Sequence, residues 1–86
     1  MEEDEKETWD LIVVRQERGT KKDVSTSLGG FLDRESAIKA AEPFEAQAGR
    51  GGNLPITVES PDGTRLTILA MDFRATKVQK SFSGFI

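Results

Sequence analysis

The apolar positions of this chain change period several times, and each change marks an element. In "TWDLIVVRQ" (Thr8 to Gln16) the residues Leu11, Ile12, Val13 and Val14 are consecutive and mostly β-branched. Such a run predicts a strand that is central in a sheet or covered on both faces. "ERGTKKD" (Glu17 to Asp23) is polar, contains Gly19 and predicts a hairpin loop. "VSTSL" alternates, with Val24, Thr26 and Leu28 on one face, as an antiparallel partner strand does. Gly29 and Gly30 follow and predict a bulge or a strand exit.

The period then becomes helical. In "DRESAIKAAEPFEAQAG" the residues Ala37, Ile38, Ala41, Phe44 and Ala48 form one apolar stripe. Asp33 is placed to cap the first amides, and Glu35 lies in the first turn, where the helix dipole favours an acid. Pro43 conflicts with the pattern. A proline inside a helix removes one amide donor and clashes with the carbonyl four residues earlier, here that of Lys39, so a kink or a split is expected. Ile38 and Phe44 are expected to bury against a sheet formed by the Trp9–Val14 and Leu66–Ala70 strands.

Alternation returns in "PITVES", with Ile56 and Val58 inward, and in "TRLTILAMDF" (Thr64 to Phe73), with Leu66, Ile68 and Ala70 on one face. "SPDG" between them predicts a tight turn: proline presets the first central position, and aspartate and glycine suit the next two. The order is β-β-α-β-β, which implies an α+β fold, a small antiparallel β-sheet with one helix packed on one face in a two-layer sandwich. Residues 1–7 read as an acidic disordered head, 8–73 as a single α+β domain and 74–86 as a basic and aromatic tail. In that tail Ala75, Val78, Phe82 and Phe85 have helical spacing, while Val78, Lys80 and Phe82 also alternate as in a strand.

Composition narrows the picture. At 86 residues there is room for one small domain, which buries about 60–65% of its unfolded surface and has a thin stability margin. There is no cysteine and no histidine. That removes disulfides, thiolate metal sites, and the commonest general base and metal ligand. The acidic start is unlike a signal peptide, and no apolar run nears the about 20 residues of a membrane span. A cytoplasmic protein with no membrane association is expected. The net charge of −3 is uneven. The head is strongly acidic, and the tail carries Arg74, Lys77 and Lys80 with no acid. The two ends can pair with each other or serve separate partners.

The stretch most like a site is "AGRGGNLP" (Ala48 to Pro55). A phosphate-binding loop needs its glycines between a strand and a helix N-terminus. Here they follow a helix and precede a strand. Gly49 is expected in the left-handed cap position, with Gly51, Gly52 and Asn53 turning the chain back. Asp33 with Glu35 and Glu42 with Glu45 read as a cap and a solvated face, not an acid–base pair. The serines have no histidine to activate them. No catalytic, cofactor-binding or metal residue is therefore assigned, and an enzyme is not expected.

Two binding readings remain. Lys77, Val78, Lys80, Phe82, Phe85 and Ile86 gather apolar and basic groups that suit another protein, or a second copy of this chain as a homodimer. Arg15, Arg18, Lys21 and Lys22 flank the first hairpin, and with the tail they suit a nucleic acid, provided they converge on one face. The residues Trp9, Glu35, Ala37, Ile38, Ala41, Gly51, Gly52, Asp62 and Gly63 carry a resemblance. Over positions 9 to 70 the chain resembles a family of small uncharacterised bacterial and phage ββαββ domains. That resemblance implies a fold and no reaction. Pro43, the acidic head and the basic tail depart from it. The leading expectation is a non-enzymatic protein-binding module. It would act as a small regulator or inhibitor, phage-encoded and directed at a host defence system. The alternative is a nucleic-acid-associated accessory protein using the basic hairpin and tail.

Overall fold

A computed structural model describes residues 6–47 and 53–83, with only the backbone of Lys6, Phe82 and Ser83. The acidic head up to Glu5, the Gly49 cap with the glycines around it, and Phe85 and Ile86 lie outside the described residues. The elements are β1 (Lys6–Gln16), β2 (Asp23–Phe31), α1 (Arg34–Gln47), β3 (Pro55–Glu59), β4 (Arg65–Leu69), a 3-10 turn (Ala70–Asp72) and β5 (Phe73–Ser83). The α+β class holds. Five strands form two antiparallel sheets, ordered β2-β1-β5 and β3-β4. One apolar core joins both sheets to α1.

The four-residue apolar run is the central strand of the larger sheet. Leu11 and Val13 turn to the core and are fully buried, whereas Ile12 and Val14 face the opposite side and are only half-buried. Neither Ile12 nor Val14 belongs to the apolar core or packs against it. Centrality, rather than cover on both faces, accounts for the run. Gly29 and Gly30 form the expected bulge. Between the pairs Trp9–Phe31 and Leu11–Leu28, β2 takes one residue more than β1, and Gly30 has φ +87°. A Cβ there would come within 3.3 Å of the Asp62 backbone nitrogen, so the glycine also lets the β3–β4 turn approach β2.

The residues read as a tail supply the third strand. β5 runs antiparallel to β1 from Phe73–Arg15 to Ser83–Lys6. Pairing with β1 decides between the helical and alternating patterns. The expected strand from Thr64 to Phe73 stops at Leu69, because the Ala70–Asp72 turn redirects the chain into β5. Phe73 then enters the core and stacks on Phe44 with ring centroids 5.7 Å apart. The strands at Trp9–Val14 and Leu66–Ala70 therefore lie in different sheets.

α1 is one helix running through Pro43. Asp33 accepts a 2.7 Å bond from the Ser36 amide, as an N-cap should. Ala37, Ala41 and Phe44 are buried, as the stripe required. Ile38 corrects the expectation: it is 39% exposed. A stripe at spacings of four and three from Ala37 already fills the contact, and Ile38 sits one step, about 100°, round the helix from it. The "SPDG" turn closes as read. The Gly63 amide donates to the Ser60 carbonyl at 3.0 Å, Thr64 pairs with Ser60, and Gly63 has φ +94°. This is a type I turn followed by a left-handed residue. In the first hairpin the left-handed residue is Lys21, at φ +58°, and not Gly19.

Candidate functional site

β5 brings the candidates Lys77, Val78 and Lys80 together on one strand. It is an edge strand of 11 residues, paired on one side with β1 and lying beyond it in the sheet order. Alternation divides its side chains. Val78 is opposite Leu11 and packs against the core, with Thr76 and Lys80 on the same face. Thr76 donates to the Glu45 carboxylate of α1, which ties the helix to the strand. Lys77 is opposite Ile12 on the outer face and is exposed. The strand bulges once, at Arg74, since Val14 and Arg15 are adjacent while their partners Ala75 and Phe73 are not. Arg74 donates to the Gln16 side chain across the bulge.

Lys80 has partners of its own. Its ammonium lies 3.6 Å from the Glu7 carboxylate and 5.7 Å from the Trp9 ring centroid. Register explains this, because Trp9 is opposite Lys80 and Glu7 opposite Phe82. Among the described residues, the acidic head meets the basic tail at this contact of Glu7 with Lys80. The groups are half-exposed, and such a contact contributes about 0.5–1 kcal/mol at most.

The basic hairpin does not gather on one face. Arg15 alternates onto the side of Leu11 and Val13 and is half-buried. Arg18 donates to Asp72 at 3.2 Å and reaches the Met71 sulfur at 3.0 Å, clipping the hairpin to the 3-10 turn. Lys21 and Lys22 are exposed.

Asp33 and Asp62 are engaged in local structure. The Ser36 amide, and then its hydroxyl, lower the Asp33 pKa below the usual 3.8. The Ser60 hydroxyl, and then the Thr64 amide at 3.0 Å, lower that of Asp62. Both effects stabilise the charged form. An open hollow of about 500 Å³ beside α1 is lined by Asp33, Glu35, Ser36, Ile38, Lys39 and Glu42. Its one unusual wall is the exposed Ile38. Among the described residues no three Asp or Glu side chains gather as a metal site would require. No described helix is long and apolar enough to cross a membrane.

Sequence reasoning found Lys77, Val78 and Lys80 but missed Trp9 and Glu7 as the cross-strand partners of Lys80. Only the register of β1 on β5 reveals them. Comparison with family models, with curated proteins and with solved structures matched none of them.

Proposed function

We propose that this chain is a non-enzymatic, cytoplasmic protein-binding module that presents β5 to another protein. It acts as a small regulator or inhibitor, of the kind a phage directs at a host defence system. The observation that carries the reading is an 11-residue edge strand whose ionisable groups, Arg74, Lys77 and Lys80, are all cations. An edge strand leaves a row of backbone donors and acceptors open to a partner. The lack of histidine and cysteine agrees with work done by occupancy rather than by turnover. The hairpin gives the nucleic-acid alternative less support, because Arg18 is engaged by Asp72 and Arg15 lies on the core side.

Site-resolved crosslinking tests the proposal. A photoreactive residue is placed at Lys77 on β5 or at Glu42 on α1, in the full chain expressed in its native cell. A discrete protein adduct from position 77 and none from position 42 is expected. Adducts to nucleic acid, or equal labelling from both positions, would overturn the reading.

A further inference from the structure

The protein-binding reading leaves open what β5 would receive. The shape and charge of the strand narrow the choice. From Ala75 to Ser83 its ladder with β1 runs without interruption, and its one bulge, at Arg74, lies near the start. It contains no proline and no acid. Among the described residues, the usual devices that blunt an edge, namely prolines, repeated bulges or a covering element, are missing there apart from the lysines. The other edge of the sheet differs. β2 is bent at Gly29–Gly30, and Pro61 and Asp62 of the β3–β4 turn lie against it. β5 is the straighter and more open edge.

A strand added beside β5 would lie about 4.8 Å away, and its side chains would fall opposite those of β5 on both faces. Opposite-charge cross-strand pairs stabilise such an addition and like charges oppose it. A second copy of β5 would bring Arg74, Lys77 and Lys80 against the same three cations. Lys80 already faces Glu7 and Arg74 donates to the Gln16 side chain, so Lys77 on the outer face is the cation of β5 with no side-chain partner among the described residues. We infer that β5 takes up an extended acidic segment of a partner protein by strand addition, with an acid of that segment opposite Lys77. This deepens the protein-binding reading and rests on it.

The test uses the full chain labelled for amide NMR and a capped seven-residue peptide alternating valine with glutamate. Two control peptides have lysine in place of glutamate, or N-methyl groups on alternate amides. A short single-stranded oligonucleotide is the fourth probe. The acidic peptide is expected to shift amides from Ala75 to Ser81 and slow their hydrogen exchange. Lys77→Glu is expected to weaken that binding at least threefold, and Lys77→Gln by less. The N-methylated peptide, with its methyl groups on the edge that would pair with β5, is expected not to bind. Equal binding of the lysine peptide would overturn the acidic preference, binding of the N-methylated peptide or shifts centred on the first hairpin or α1 would overturn strand addition, and each would leave the wider protein-binding reading standing. Oligonucleotide binding along β5 with no peptide binding would overturn both. Dimerisation through β5 in the absence of peptide would also overturn the inference, and is read directly from sedimentation.

Discussion

At the scale of single residues, two apolar side chains of α1 separate core from surface. Phe44 is fully buried and stacked on Phe73, while Ile38 is 39% exposed. Phe44→Ala should cost about 3–5 kcal/mol, a large part of a small domain's stability. Ile38→Ala should cost less than about 1 kcal/mol. Denaturant unfolding of both variants checks the pair, and equal losses would put Ile38 in the core after all. The same scale holds a pH dependence. Asp33 and Asp62 both have pKa values lowered in the folded state. Their stabilisation is complete above the unfolded value near 3.8 and is lost as pH falls through the lower folded value. Stability should therefore fall on acidification from about pH 4 downward. Asp33→Asn keeps a capping oxygen but does not titrate, so its unfolding midpoint should depend less on pH over that range. An unchanged slope would show that the Asp33 carboxylate carries none of the effect.

Among the elements, those decided by local pattern were legible and those decided by distant pairing were not. Alternation placed Val24, Thr26, Leu28, Ile56 and Val58, and the turn chemistry of Ser60 to Gly63 closed as its residues dictate. The stop of β4 at Leu69 was not legible, because Ala70 continues the alternation and the reason for turning lies in the Phe44–Phe73 stack. Nor was β5, whose residues satisfy two periods equally; the partner strand β1 makes the choice. In the candidate site the cations could be read, but their engagement by Asp72, Glu7 and Trp9 depends on register and approach between elements. Pro43 shows tertiary contacts overriding propensity. α1 persists through it because Ala41 and Phe44 on either side are buried. An interior proline costs a helix about 3 kcal/mol. Pro43→Ala should therefore raise stability by about 1–3 kcal/mol, part of the gain being offset by a freer unfolded chain. A lower melting temperature for this exposed position would mean that the ring makes a packing contact worth more than the lost hydrogen bond.

At the scale of the whole molecule, the last strand by sequence is built into the middle of the fold's energetics. β5 lines β1 along its length, supplies Phe73 and Val78 to the core, and holds α1 through Thr76 and Glu45. A binding surface made from such a strand cannot be removed without touching the fold. Ending the chain after Arg74 keeps Phe73 but deletes the ladder partners of Lys6 to Val14, leaving β1 as an edge with its aliphatic residues uncovered. A domain of this size has too thin a margin to lose one of the three strands of its larger sheet. The truncated chain should therefore be unfolded or aggregated, with a collapsed amide NMR spectrum, rather than folded and merely unable to bind. Point changes on the exposed face of β5, such as Lys77→Glu, should leave the spectrum dispersed and the melting temperature within a few degrees of the parent. A well-dispersed spectrum from the truncated chain would show that β2, β1 and α1 fold without β5. The strand would then be an appendage laid on a finished domain, and its long register with β1 would need a reason other than stability.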